Sequence, residues 1–167
     1  RDPADGSTLS TRVHPRCTIW YMIEVTRTTE ASPERLWALM ADVKGWPQWM
    51  PTVEAVTPLE PGRPNEVGAR YAVEQPQLAK AVWTITAVDP GRSFTWESRT
   101  PGLHSVATHE LRREADGTTI VLGLTWSGLL APVVRRLLGA RALDYVTQEA
   151  ASLAARAAAT GPDADDA

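Results

Sequence analysis

The segment 79–126 reads AKAVWTITAVDPGRSFTWESRTPGLHSVATHELRREADGTTIVLGLTW and contains three turn pairs, Pro90-Gly91, Pro101-Gly102 and Asp116-Gly117. Runs rich in β-branched and aromatic residues flank each pair, a pattern typical of β-hairpins. Because a short turn fixes which residues lie opposite each other, the three turns predict four consecutive antiparallel strands in a defined register.

The predicted register keeps one face of these strands apolar. Its cross-strand pairs are Ala87–Phe94, Ile85–Trp96, Ser98–Ser105, Trp96–Ala107, Phe94–His109, Leu111–Leu122, His109–Leu124 and Ala107–Trp126. The intervening residues are mainly Thr, Glu and Arg, which we expect on a solvated face. Side chains alternate between the faces of a strand, so a one-residue error in any turn would mix the two sets. Their agreement supports the whole antiparallel meander.

The chain before the hairpins predicts one strand and two short helices. Residues 19–28 are β-branched and aromatic, which favours a strand. Ser32 is a good helix N-cap and Pro33 suits the first helical position, so a short helix follows. Residues 42–50 predict a second helical segment, which ends before Pro51.

Two further strands and a long helix complete the predicted fold. Residues 53–59 and 68–75 favour strands, and residues 131–159 carry apolar side chains at helical spacing. The prediction is an α+β protein with a seven-stranded curved antiparallel sheet around a long C-terminal helix. We expect residues 19–159 to form one domain, residues 1–18 a disordered arm or an added sequence, and residues 160–167 a disordered tail.

Composition excludes several classes of protein. The formal net charge is −3 with no continuous basic stripe, which argues against nucleic-acid binding. One cysteine and three histidines predict neither an internal disulfide nor a metal site, and no cofactor is expected. No apolar run approaches the ~20 residues of a membrane span, so we expect no stable membrane insertion and a cytoplasmic location. The oligomeric state stays open.

Several motifs together resemble a known superfamily. They are SPERLW at 32–37, DV at 42–43, WPQWMP at 46–51, VG at 67–68, Trp83, DPG at 89–91, FTW at 94–96 and DGT at 116–118. In this order they resemble the START-related, Bet v 1-like (SRPBCC) superfamily, specifically its bacterial polyketide cyclase/dehydrase and lipid-transport branch. The resemblance spans residues 19–159 and implies the helix-grip fold, with an internal cavity that binds small hydrophobic or aromatic molecules.

The residues predicted to bind such a ligand face inward in the register or on the long helix. They are Tyr71, Gln75, Trp83, Phe94, Trp96, Ser98, Ser105, Ala107, Leu124, Trp126 and Val146. This set predicts an apolar pocket with a few orienting polar groups. The alternative is that the aromatic residues simply fill a core and that the two serines bond to each other.

His109 is the candidate for proton transfer. Histidine changes its charge near neutral pH and can act as a general acid or base, and His109 is predicted to face inward. The alternative is a histidine whose hydrogen bonds are satisfied inside a core.

Three functions remain open from the sequence. The preferred hypothesis is binding of a lipid-like or polyketide-like ligand in the cavity, without chemistry or with little. A polyketide cyclase, aromatase or dehydratase acting in the same cavity is the chief alternative. A stress-response or protein-interaction module with an incidental cavity is the third. No phosphate-binding loop or nucleophile elbow is present to support another enzyme class.

Overall fold

The computed structural model describes residues 5–13, 19–60, 62 and 65–159. These residues form one antiparallel sheet of eight strands, two α-helices and a 3₁₀ helix. The elements are β1 (Asp5–Val13), β2 (Ile19–Thr29), α1 (Pro33–Ala41), the 3₁₀ helix (Val43–Gln48), β3 (Ala55–Pro58), β4 (Arg70–Glu74), β5 (Ala81–Asp89), β6 (Ser93–Thr100), β7 (Leu103–Glu114), β8 (Gly117–Ser127) and α2 (Ala131–Ala159). The order across the sheet is β1-β2-β8-β7-β6-β5-β4-β3. The predicted α+β helix-grip arrangement is confirmed.

Strand β1 is an addition to the seven predicted strands. It pairs with β2 from Asp5–Arg27 to Val13–Ile19, so the prediction of disorder was wrong for this part of the leading arm. Its sequence, DGSTLSTRV, has little apolar periodicity, and backbone pairing to an open strand edge requires none. The rest of the predicted arm, residues 1–4 and 14–18, and the predicted tail 160–167 lie outside the described residues.

The register of the hairpins agrees with the sequence in the middle and departs from it at both ends. Across the second turn, Phe94 pairs with His109 and Trp96 with Ala107, as predicted. Across the first turn Ile85 pairs with Trp96, but Phe94 faces Val88 instead of the predicted Ala87. A shift in register between Ile85 and Ala87 causes this difference. Turn chemistry alone does not reveal such a bulge.

The third hairpin is displaced by two residues from its predicted register. His109 pairs with Leu122 and Ala107 with Leu124, instead of with Leu124 and Trp126. Because the displacement is even, every side chain keeps its predicted face. The cause lies at Gly117, which pairs with Glu114 and therefore belongs to the strand rather than to the turn.

Helix α2 packs against the sheet most tightly in its C-terminal half. Ala150 and Ala157 are fully buried there, and their small side chains allow a close approach of the helix to its neighbours. The Arg35 side chain of α1 donates a hydrogen bond to the Ala157 carbonyl at 3.4 Å. Ser32 caps α1 as predicted, accepting a hydrogen bond from the Arg35 amide. This end of the domain is therefore solidly packed.

We expect Gly117→Ala to be much more destabilising than Gly91→Ala. A Cβ at Gly117 would lie 2.3 Å from the Thr29 carbonyl oxygen, and its φ of +149° disfavours other residues. Gly91 has a φ of +81° but open space around it, so its substitution carries only the conformational cost. Urea unfolding should show a loss of about 3 kcal/mol for the first variant and about 1 kcal/mol for the second. Equal losses would contradict the close contact with Thr29.

Candidate functional site

A cavity of about 310 Å³ lies between the concave face of the sheet and the N-terminal two thirds of α2. Strands β5 to β8 form one wall, and α2 forms the other with residues that include Val134, Leu138 and Val146. The deeply buried Ala150 and Ala157 of the same helix lie outside it. The cavity therefore begins where the close packing of α2 on the sheet ends.

Most of the residues predicted to bind a ligand line this cavity. They are Gln75, Trp83, Trp96, Ser98, Ser105, Ala107, Leu124, Trp126 and Val146, together with the proton-transfer candidate His109. The correct assignment of faces along the strands accounts for this agreement, since the two errors of register did not move any of these side chains to the other face.

Tyr71 and Phe94 are buried but do not line the cavity, which corrects their predicted place in the site. Phe94 lies beside His109 with the two rings stacked, their centroids 4.2 Å apart and their planes 9° from parallel. Burial raises the pKa of Tyr71, and the nearby carboxylates of Asp42 and Glu66 act in the same direction. Both side chains therefore belong to the core behind the cavity wall.

An imidazole and a carboxyl group lie within hydrogen-bond distance of each other on the cavity wall. Nε2 of His109 lies 2.9 Å from Oε1 of Glu149, which projects from α2. The His109 side chain is 5% exposed and the Glu149 side chain 18% exposed. The pair links the sheet to the helix.

Glu149 was not identified from the sequence, although a signal for it exists. It follows Val146 by three residues, and side chains three apart lie on the same face of a helix. The apolar spacing of α2 therefore already placed Glu149 beside an inward-facing residue. A carboxylate on an otherwise apolar helix face is the feature that marks it.

The two ring nitrogens of His109 have different surroundings. Nε2 is bound to Glu149, whereas Nδ1 is buried and has no hydrogen-bond partner among the residues that the structure describes. When Glu149 is ionised, Nε2–H donates to Oε1 and leaves Oε2 for another partner. The Glu149 side chain is the more exposed member of the pair. His109 lies deeper and holds the Glu149 carboxyl group through Nε2.

Aromatic rings surround the pair. The Trp46 and Trp96 rings have their centroids 5.6 Å and 5.8 Å from that of His109. Trp83 stacks on Trp96 at 5.1 Å and extends the aromatic surface along the cavity. Such surroundings contain few dipoles to screen charge, so they strengthen the interaction between His109 and Glu149 relative to water.

Hydrogen bonds hold the β4–β5 loop over one side of the opening. The Tyr145 hydroxyl of α2 donates to the Pro76 carbonyl at 2.6 Å, and Arg141 donates to the Gln77 carbonyl at 3.3 Å. Leu78 of this loop lines the cavity. The predicted polar contact Gln75 donates from Nε2 to the Thr52 carbonyl at 3.2 Å, so its amide is engaged by the protein.

The described residues offer no cluster of three or more His, Cys, Asp or Glu side chains that could hold a metal ion. Over the same part of the chain, no helix combines the length and the apolarity needed to cross a membrane.

Solved structures of low sequence identity share the fold. The Zhui aromatase/cyclase from Streptomyces sp. R1128 is 20% identical, with a TM-score of 0.65 over 89% of this chain and 99% of that one. Norcoclaurine synthase from Thalictrum flavum is 14% identical, with a TM-score of 0.66 over the same shares. The protein TTHA0849 from Thermus thermophilus is 21% identical, with a TM-score of 0.64 over 84% of this chain and 99% of that one.

Sequence comparison with curated proteins finds no match. The family model described as polyketide cyclase / dehydrase and lipid transport matches residues 22–158, which include most of β2, all of β3 to β8 and nearly all of α2. This match covers most of the chain and agrees with the fold, the cavity and the shared architecture of the solved structures. The chain belongs to the polyketide cyclase / dehydrase and lipid transport family.

Proposed function

We propose that the chain binds a compact aromatic or poly-keto molecule in its cavity and that Glu149, held by His109, transfers a proton during ring closure or dehydration. The observation that carries this proposal is the His109–Glu149 hydrogen bond on the wall of a largely apolar cavity that several tryptophans line. The family description and the fold shared with an aromatase/cyclase support the same reaction class.

The size of the cavity limits the ligand. Its volume of about 310 Å³ lies at the lower end of the ~300–1,000 Å³ usual for ligand pockets. The stacked rings of Trp83 and Trp96 offer a broad apolar surface to a flat molecule. A ligand of one or two rings, or a folded chain of similar bulk, matches this space better than an extended acyl chain.

The proposed reaction uses one carboxyl group in both protonation states. Ionised Glu149 takes a proton from a methylene group between two carbonyls, and the resulting enolate carbon forms a bond to a second carbonyl of the same molecule. The alkoxide formed at that carbonyl takes this proton back from the Glu149 carboxyl group and becomes a hydroxyl group, so that Glu149 is ionised again. In dehydration, ionised Glu149 removes a neighbouring C–H proton and delivers it to the departing hydroxyl, which leaves as water while the carbon–carbon double bond forms.

The geometry favours Glu149 over His109 as the group that meets the ligand. His109 directs Nε2 toward Glu149, and its Nδ1 is buried. We therefore assign His109 a positioning role, in which it orients the carboxylate and stabilises its charge. This differs from the expectation drawn from the sequence, which placed proton transfer on His109 itself.

Glu149→Gln should reduce turnover of a synthetic poly-keto thioester by about 100-fold or more, because general acid–base catalysis contributes on the order of 10²–10⁴. The amide keeps the size of the side chain but neither accepts nor returns a proton. Binding of the substrate, measured by quenching of tryptophan fluorescence, should change less than about threefold, since the loss falls on the chemical step.

Asp144→Asn is the matched control for this variant. It removes the same charge from the same helix, at an exposed residue whose carboxylate accepts a hydrogen bond from Gln148. Turnover by this variant should equal that of the unmodified protein. Undiminished turnover in Glu149→Gln, or an equal loss in both variants, would remove Glu149 from the reaction.

Carriage of a ligand without chemistry is the second candidate. It is favoured by the hydrogen bond between His109 and Glu149, because the two side chains bind each other. This arrangement corresponds in part to the alternative left open by the sequence, a histidine satisfied inside a core, since Nε2 has a partner and Nδ1 has none among the described residues. In that case the cavity binds an apolar molecule and releases it unchanged. The compound recovered after binding is then the same for the unmodified protein and for Glu149→Gln.

Both candidates require the cavity, and Ala107→Phe tests that requirement. Ala107 lines the cavity, so a phenyl ring there should occupy ligand space and weaken binding of 1-anilinonaphthalene-8-sulfonate at least about tenfold. Val106→Phe is the control, because the neighbouring strand position points to the opposite face of the sheet. Fluorescence titration measures both, and unfolding curves verify that both variants fold. Equal affinity of the two variants would place the binding site elsewhere.

A further inference from the structure

Four aliphatic side chains stand exposed where strand β8 passes into helix α2. Leu129, Leu130, Val133 and Leu137 are 90%, 47%, 52% and 73% exposed. We call these four residues the mouth patch. Leu129, Val133 and Leu137 follow each other at intervals of four, which places Val133 and Leu137 on one side of the first turns of α2.

The mouth patch lies beside the cavity. The Leu130 amide donates to the Gly102 carbonyl at 2.9 Å, so the patch lies against the β6–β7 turn. Leu103 of that turn lines the cavity. Val134 and Leu138, the residues that follow Val133 and Leu137, line it from α2. The same helical turns therefore present one side to the cavity and the other to the surroundings.

The stretch of sequence that contains the mouth patch carries charge of one sign. Residues 128–143 contain three arginines, Arg135, Arg136 and Arg141, and no Asp or Glu, in a chain whose formal net charge is −3. Arg136 is exposed beside the patch, and Arg135 lies over the Tyr21 ring, 4.9 Å from its centroid. The first acid of α2, Asp144, is seven residues beyond Leu137, about 10 Å along the axis.

We propose that the mouth patch docks on the surface of an anionic lipid bilayer, with the cavity opening toward the lipid. Exposed leucines beside arginines on one helix are the combination by which helices lie in the membrane interface, where the aliphatic chains enter the lipid and the cations meet acidic headgroups. Uptake of an apolar cavity ligand from the bilayer would follow, a step that rests on the proposed function, whereas docking itself does not.

Other occupants fit these residues less well. A second copy of the chain related by two-fold symmetry would bring the arginines of both patches to the same interface, where like charges repel. A protein partner is usually held by buried tryptophan and tyrosine anchors, and the mouth patch consists of leucine and valine. A lipid surface satisfies both the aliphatic and the cationic side chains.

Flotation with lipid vesicles tests the proposal directly. The full chain should float with phosphatidylcholine vesicles that contain added phosphatidylglycerol and should stay in solution with phosphatidylcholine alone. Raising the salt concentration should weaken the binding, because the arginines contribute through screened charge. Leu137→Asp should weaken vesicle binding at least about tenfold, since it places a charge where an aliphatic side chain enters the interface.

Val67→Asp is the matched control. Val67 is 59% exposed and lies outside the cavity lining, so the variant makes a comparable change away from the mouth patch and should float like the unmodified chain. Failure of the unmodified chain to float with anionic vesicles, or equal losses in both variants, would overturn the proposal. A dimer in sedimentation velocity that Leu137→Asp dissociates, without vesicle binding, would assign the patch to contact between copies.

The outcome is separable from the fate of the proposed function. Flotation needs no ligand in the cavity, and Glu149→Gln should float like the unmodified chain. Leu137→Asp should in turn keep its affinity for a probe added from aqueous solution, because Leu137 does not line the cavity. Vesicle binding without turnover would thus support docking alone, and turnover without vesicle binding would support the enzyme alone.

Discussion

The uneven packing of helix α2 on the concave face of the sheet is the constraint on which the site depends. In the C-terminal half of α2, Ala150 and Ala157 are fully buried, and the helix packs closely on its neighbours there. Toward its N-terminus, α2 and the strands enclose a cavity, which the small Ala107 of β7 helps to line. Burial of apolar area at one end stabilises the contact that keeps the other end open. A helix packed closely along its whole length would leave no cavity between α2 and the sheet.

The His109–Glu149 pair sits at the boundary between these two regions. Behind it, Phe94 stacks on the imidazole and joins the solid core. In front of it, Trp83 and Trp96 face the cavity. An ionisable pair is stabilised in such surroundings only when its members bond to each other, because an isolated charge would lose its hydration without compensation. The same hydrogen bond therefore serves packing and, under the proposed function, holds the carboxylate in place for proton transfer.

The cavity and the exposed mouth patch share one stretch of helix, so the first turns of α2 have two apolar sides. Val134 and Leu138 line the interior, while Val133 and Leu137 face outward. A helix on a protein surface ordinarily directs charged residues outward. On the first turns of α2, exposed aliphatic residues stand where charged residues would be usual. Under the two proposals, a ligand entering the cavity would pass this apolar surface.

Sequence alone determined which strand residues share a face. Alternation with a period of two is a local property, so Trp96, Ala107 and Trp126 were placed on the concave side even though two of the three hairpin registers were partly wrong. Strand β1 escaped detection because an edge strand is held by backbone hydrogen bonds that leave no apolar pattern. Tertiary structure decided the remainder. The rotation and distance of α2 relative to the sheet bring Glu149 to His109 and leave the cavity unfilled, and both depend on contacts between residues distant in the chain.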